Sequence, residues 1–556
     1  MLAPAAGEPA DGPPVPLVPA PVPGRGPTWP DVEPGEEGGG RVRAVTGVVA
    51  VEGGPVRGRE DAGVWSFLGV PYAAAPVGPR RWRPPERPEP WSGVRAATEA
   101  GPIAPQAAVG PQIPGDPAVQ SEDALHLSVW TPGLDDRRRP VMVWVHGGGF
   151  TSGTAGSLLY RGDDLARRGD VVVVAVNYRL GALGFLAHPA LEPADGGPFA
   201  NWGLLDQIAA LRWVRDHIAS FGGDPGNVTL FGESAGGMSV SALLAAPAAR
   251  GLFRRAVVQS GPPYTHHVVR AAAAATSLAG ALGLEEVSRD ALVRVPAADL
   301  VDAVAAIQDR RAAPGELPLP LLPTVDGRVL PAEPRRAVAG GAAAGVELMI
   351  GTNRDEVTFF SLGDEEAARM DEEALLRRVR AMVPGSRPEE LVAAYRLARS
   401  GRCEPVTPRD VWVSAATDVV FRWPSLRLAA AHRRHGPAHV YLFSWETPVL
   451  GGVLGACHAL EIPFVFGTLR HPAVAAFSGD GPPAEALSLT MQEAWLAFAR
   501  TGDPSNHRTG AWPRWDSSRR ATMVFGPTVG IEHGPRDEEL VVHASYAPLE
   551  GGDAVG

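Results

Sequence analysis

The chain contains no lysine: all 51 of its basic residues are arginine. Lysine is therefore excluded as a catalytic base. Cysteine is scarce as well, with Cys403 and Cys457 only. Two cysteines close one disulfide at most, so a disulfide framework is excluded, and the sparse usage suits a reducing cytoplasm. No apolar run reaches the about 20 residues that a membrane-spanning helix needs. The N-terminus lacks a basic start followed by a continuous apolar core, so no secretory leader is expected. Basic residues are outnumbered, leaving a net charge of −11. That balance argues against nucleic acid or an anionic membrane as a partner.

What the chain has in quantity is glycine and proline, 66 and 56 of its 556 residues. With the all-arginine basic set and abundant alanine, this reads as codon bias of a GC-rich genome. Residues 1–40 are dominated by Pro, Gly, Ala and acidic residues, as in Pro13-Pro14-Val15-Pro16. Such a segment has too little apolar surface to bury and is expected to be disordered. Residues 549–556 read as a flexible tail, and 41–548 as a single domain.

Within that domain strands and helices alternate. Val141–Val145, Val171–Val176, Ala256–Val258, Val346–Ile350 and Val440–Phe443 are continuous apolar runs of strand length. Strands apolar on both sides predict a mostly parallel sheet covered by helices on each face. Leu375, Leu376, Val379, Met382 and Val383 recur at helical spacing, and Pro384-Gly385 ends the pattern. The fold class is α/β with long inserted loops and helices.

The most informative motif is Gly232-Glu233-Ser234-Ala235-Gly236. It follows the apolar run Val228–Phe231 and precedes small residues, 237–246, that can form a helix. Gly-x-Ser-x-Gly between strand and helix is a nucleophile elbow. The tight turn needs small neighbours and lifts the Ser234 hydroxyl clear of the sheet at a helix N-terminus. An acyl-transfer hydrolase follows as the first reading. A serine hydroxyl needs a base, a carboxylate to orient that base, and donors for the oxyanion.

For the donors, His146-Gly147-Gly148-Gly149-Phe150 directly follows the strand ending at Val145. Successive glycines let backbone N–H groups approach a substrate oxygen without Cβ interference. For the base, His458 follows a glycine-rich loop, 451–455, late in the chain. Late placement matches the order Ser, acid, His of α/β hydrolases. For the acid, Asp355 and Glu356 both lie in the loop after the strand Val346–Ile350, where active-site loops gather. Position alone does not choose between them. Phe150, Phe359, Phe360 and Trp445 are candidate apolar wall residues. His432, His435 and His439 stand in an Arg-rich stretch that reads as a solvated face.

At this point the chain resembles the type-B carboxylesterases, which include cholinesterases and bacterial para-nitrobenzyl esterases. The likeness runs from about Gly47 to about Phe525. Its most specific part is the serine-site run 221–236, Phe-Gly-Gly-Asp-Pro-Gly-Asn-Val-Thr-Leu-Phe-Gly-Glu-Ser-Ala-Gly. Others are Ser121-Glu122-Asp123-Ala124-Leu125, Asn177-Tyr178-Arg179-Leu180-Gly181 and Gly203-Leu204-Leu205-Asp206-Gln207. The resemblance implies the α/β-hydrolase fold and a triad of Ser234, Glu356 and His458. It implies oxyanion donors from Gly148, Gly149 and Ala235. It also implies that Glu233 and Ser260 orient His458. Ala124 stands where secreted animal members carry a cysteine, which fits the bacterial branch and a cytoplasmic setting. Cys457, beside the histidine, matches no family requirement and reads as a small buried apolar residue.

The expected function is hydrolysis of small to medium apolar carboxylic esters through an acyl-enzyme, with no metal and no cofactor. The protein is expected to act as a monomer or homodimer. Amide, carbamate or lactone hydrolysis on the same scaffold is the alternative. A catalytically silent, cholinesterase-like binding protein, and a metal hydrolase built on His458 and Glu461 or on the three-histidine stretch, are the remaining ones.

Overall fold

Eleven strands form one large sheet in a computed structural model that describes residues 47–107, 115–194, 196–311 and 319–545. The proline-rich 1–40 segment and the 549–556 tail lie outside the described residues. The chain divides into Met1–Ala44 and Val45–Gly556, and everything below concerns the second unit. In chain order the sheet strands are β1 (Arg59–Asp61), β2 (Val64–Pro71), β3 (His126–Thr131), β4 (Arg139–Val145), β5 (Val172–Val176) and β6 (Gly223–Glu233). They continue as β7 (Arg255–Gln259), β8 (Glu347–Asn353), β9 (Ala438–Phe443), β10 (Ala521–Phe525) and β11 (Val529–His533). Across the sheet they run β11-β10-β9-β8-β7-β6-β4-β5-β3-β2-β1. From β10 to β5 every neighbouring pair is parallel. The edges beyond are antiparallel.

The continuous apolar runs have the expected cause. Val141, Val143, Val145, Val172, Val174 and Val176 enter one core, while Met142, Trp144, Val173 and Ala175 enter the other. A parallel sheet buried on both sides needs apolar residues at consecutive positions. Helices α1 (Trp202–His217), α2 (Ala235–Ala245) and α3 (Trp423–His432) cover the first face. Helix α4 (Pro482–Thr501) covers the second through Leu487, Met491, Trp495 and Phe498. The expected amphipathic helix is Glu372–Met382, in the insertion between β8 and β9, where a separate apolar cluster forms.

Two expectations fail. The His432–His439 stretch is not a solvated face: Arg433 and Arg434 take the solvent side, while His432 and His439 are buried. His432 Nε2 lies 2.9 Å from the Val346 carbonyl, and burial pulls both imidazoles down to about 4. Phe150 does not line a substrate wall. It is fully buried in the core against Phe185, ring centroids 4.6 Å apart.

Two of the sequence motifs meet as a buried ion pair. Arg179, after β5, places Nε and Nη2 each 2.7 Å from the Asp206 carboxylate on α1, and neither side chain reaches solvent appreciably. The segment that Arg179 anchors supports the glycine loop: Tyr178 Oη donates to the His146 carbonyl at 2.8 Å, and Gly181 N to the Phe150 carbonyl at 2.7 Å. Removing one partner leaves the other charge buried and unpaired. Asp206→Ala should therefore cost about 3–5 kcal/mol of stability. A denaturant titration checks this, and an unchanged midpoint would refute it.

Candidate active site

The elbow begins with backbone geometry. β6 ends at Glu233, α2 begins at Ala235, and Ser234 between them has φ +55° and ψ −125°. A non-glycine residue held there is strained, and surrounding contacts must enforce it. The Ser234 amide donates to the Gln259 carbonyl at the end of β7 (2.9 Å), and its carbonyl accepts from Met238 N (2.7 Å). The flanking glycines are required by space. A Cβ on Gly236 would stand 2.0 Å from the Val145 carbonyl oxygen, and one on Gly232 would stand 2.7 Å from the same atom.

The glycine loop after β4 lies against this turn. A Cβ on Gly147 would come within 3.1 Å of Ser234 Cβ and 3.0 Å of Glu233 Oε2. Gly148 and Gly149 both have positive φ, +108° and +61°, a backbone region that favours glycine. His146 is buried, stacks on Tyr178 with ring centroids 4.5 Å apart, and is pulled down to about 4 by that burial. It stays neutral and acts as a packing group. The N–H of Ala235 opens α2, where no preceding turn supplies an acceptor.

Glu356 and His458 arrive from opposite ends of a 102-residue separation, Glu356 just past β8 and His458 in the loop past β9. His458 Nδ1 lies 2.6 Å from Glu356 Oε2, and both side chains are buried. The other carboxylate oxygen accepts from Ser260 Oγ (2.6 Å) and from Asn353 N (2.8 Å). Three donors thus converge on Glu356. Ser260 was expected to orient the histidine, and the structure makes that action indirect, through the carboxylate. Glu233 stands on the other side of the ring, its Oε1 3.1 Å from His458 Nε2. Among the described residues Nε2 has no hydrogen-bond partner; the Ser234 hydroxyl does not bond to it here.

Glu461, weighed from the sequence only as a metal ligand beside His458, takes a different place, as a hydrogen-bond acceptor next to the acid–imidazole pair. It is fully buried, accepting from Gln259 Nε2 (3.1 Å) and Asn353 Nδ2 (2.6 Å). Its signal was present: one charged residue in the otherwise apolar run Ala459–Phe466. Burial and the Glu356 charge raise its carboxyl, and burial holds Glu233 well above the usual carboxylate range. Burial alone would pull the His458 imidazole down. Glu233, Glu356 and Glu461 outweigh it and push the imidazole up to about 9.

The remaining wall is aromatic. Phe360 and Phe421 have ring centroids 4.8 and 5.0 Å from that of His458, and Phe359 lies at 6.3 Å. Phe359 and Phe360 match expectation, and Phe421, from the insertion, adds to them. Trp445 packs on Phe464 instead, centroids 5.9 Å apart. Cys457 is buried and unpaired, and Cys403 is exposed and unpaired. Among the described residues no three His, Cys, Asp or Glu side chains converge as a metal site, and no helix is long and apolar enough to cross a membrane.

Comparison with known proteins points the same way. The carboxylesterase family model matches residues 45–542. The para-nitrobenzyl esterase of Bacillus subtilis (strain 168) is 38% identical over 501 residues, covering 88% of this chain and 97% of that protein. The phenmedipham hydrolase of Pseudarthrobacter oxydans is 35% identical, covering 85% of this chain and 94% of that protein. A crystal structure of a Geobacillus stearothermophilus carboxylesterase aligns with TM-score 0.79 and 40% identity, over 89% of this chain and 99% of that one. With an elbow, a glycine loop and a buried acid–imidazole pair on a sheet shared with such enzymes, this chain belongs to the carboxylesterase family, and it is a carboxylic ester hydrolase of the α/β-hydrolase fold.

Proposed function

We propose that Ser234, His458 and Glu356 hydrolyse small to medium apolar esters through an acyl-enzyme. The observation that carries this reading is the buried 2.6 Å contact between His458 Nδ1 and Glu356. It leaves Nε2 as the free nitrogen, on the side of the ring where Glu233, the residue before the elbow serine, approaches. On substrate binding the Ser234 hydroxyl turns to Nε2, the kind of contact that tightens only in the Michaelis complex.

His458 takes the hydroxyl proton as Ser234 Oγ attacks the ester carbonyl. The N–H groups of Gly148, Gly149 and Ala235 receive the oxyanion, each such donor being worth about 3 kcal/mol. Glu356 holds the imidazole tautomer and stabilises the imidazolium. His458 then protonates the departing alcohol, and water repeats the sequence to release the acid. Every step uses side chains and backbone of this chain, with no metal or organic cofactor. Phe359, Phe360 and Phe421 support an apolar substrate, since their rings lie beside the imidazole. The unpaired thiols of Cys403 and Cys457 suit the cytoplasm.

Three outcomes test the reading. Ser234→Ala should lower kcat on para-nitrophenyl esters by about 10⁶-fold and abolish labelling by a fluorophosphonate, with the circular dichroism spectrum unchanged. Retained turnover would mean another nucleophile. The base works only when neutral, so activity falls as pH drops through the His458 value. Because the surrounding carboxylates raise that value, the acid limb of kcat/KM should have its midpoint above that of a free histidine, and Glu233→Gln should lower it. A midpoint indifferent to Glu233→Gln would argue against their coupling. Finally, para-nitrophenyl esters of graded acyl length should be cleaved far faster than the matching anilides. Comparable anilide rates would replace the esterase reading with an amidase one.

A further inference from the structure

Asp355 was the carboxylate that competed with Glu356 for the acid role, and the structure gives it different surroundings. Its backbone N donates to the Ala456 carbonyl at 3.0 Å, and its carboxylate Oδ2 accepts from Ala456 N at 2.9 Å. A single residue therefore grips both polar groups of Ala456, two positions before His458. Three residues further along, Thr358 Oγ1 lies 2.6 Å from the Leu454 carbonyl and 2.7 Å from the Asp355 carbonyl, so its one proton bridges the two loops. Asn353 Nδ2 adds a bond to the Cys457 carbonyl at 2.7 Å. The segments 353–358 and 454–457 are thus stitched along their length by side chains of the first.

The fit is close enough to dictate sequence on the far side. Gly455 has φ +57°, and a Cβ there would stand 2.4 Å from Asp355 Oδ2. The Asp355 carboxylate is held from behind by Arg354, whose Nη2 lies 2.6 Å from Oδ2. Arg354 in turn reaches Glu446, also at 2.6 Å, and its backbone N donates to the Phe443 carbonyl at the end of β9. The carboxylate is mostly shielded, with 17% of its side chain exposed.

We propose that Asp355 and Thr358 form a clasp that holds the acid-bearing loop against the base-bearing loop, making Asp355 a positioning residue for ester hydrolysis. The proposal rests on the triad reading above. The Glu356 to His458 contact joins residues 102 positions apart, and neither loop belongs to a strand or a long helix at that point. Ser260 Oγ and Asn353 N fix the carboxylate, and Asn353 Nδ2 ties the first loop to Cys457, but only Asp355 and Thr358 bind the loop that carries His458 at Leu454 and Ala456. The clasp lies immediately beside the pair, on the adjacent residue of one loop and two residues away on the other. An error of about 1 Å in such a constellation costs about 10² in rate.

The test uses the full-length protein and a para-nitrophenyl ester, with steady-state kinetics across pH and a denaturation curve for each variant. Asp355→Ala should lower kcat by about 10²-fold with KM little changed. Its acid limb should move to lower pH, because a slackened Glu356 contact raises the imidazole less. The other groups facing His458, namely Glu233, Glu461 and the Cys457 thiol, are untouched. Asp355→Asn keeps an oxygen for Ala456 N and should restore most of the rate. Thr358→Val, which removes only the outer bond, should lower kcat less and shift the acid limb in the same direction. An Asp355→Ala enzyme that matches wild type in kcat and acid limb overturns the clasp while leaving the triad reading intact. Should Asp355→Ala fail to fold, a Thr358→Val enzyme with wild-type kcat and an unshifted acid limb overturns it equally. A wild-type protein inactive on every ester overturns the triad reading and the clasp with it.

Discussion

One imidazole buried among three carboxylates is the constraint on which the site depends. Glu356, Glu233 and Glu461 all lie inside the protein with His458, and among the described residues no arginine pairs with them; the polar partners are Ser260, Asn353 and Gln259. Burying that much ionisable surface costs folding energy unless each group is paired or hydrogen-bonded. The network meets the requirement largely with residues from strand ends. Asn353 closes β8, Gln259 closes β7, Ser260 follows it, and Glu233 closes β6. A parallel sheet delivers the carboxyl ends of neighbouring strands to one edge, so residues remote in sequence are gathered by the sheet register alone.

That register explains what could be read in advance. The elbow was legible because its constraints are local: two glycines, a serine and a change from strand to helix within five residues. The core strands were legible because two-sided burial removes polar residues from consecutive positions. The choice between Asp355 and Glu356 was not, because both sit in the same loop and differ only in what arrives from over a hundred residues away. Resemblance to a family pointed to Glu356. In the structure the two acids part in function: one carboxylate takes the imidazole and the other takes the backbone of the loop that carries it.

The errors share a cause. The histidines at 432 and 439 were assigned to solvent on the strength of neighbouring arginines, yet composition over a few residues says little about the end of a helix that packs on a sheet. Phe150 was placed at the substrate by its nearness in sequence to Gly149, but its positive φ of +63° turns it away into the core. Glu461 was weighed only as a metal ligand, because the part played by a lone acid in an apolar run shows only once Gln259 and Asn353 converge on it.

Burial acts on the two groups in opposite senses: it raises the Glu233 carboxyl and would lower the His458 imidazole, and only the neighbouring carboxylates turn the imidazole upward. This sets a limit on how negative the site can usefully become. A base raised far above the working pH gains proton affinity but spends more of its time already protonated, and the product of the two is largest when its value lies near the working pH. Glu233 and Glu356 approach the imidazole from opposite nitrogens, Glu356 at 2.6 Å from Nδ1 and Glu233 at 3.1 Å from Nε2. In the proposed mechanism the imidazolium of the tetrahedral intermediate is matched by Glu356 on one side and by the oxyanion on the other. Glu461 is held by two amide side chains, those of Gln259 and Asn353. In the proposed mechanism Glu233 sets the pH at which the base becomes available, and Glu356 sets where it points.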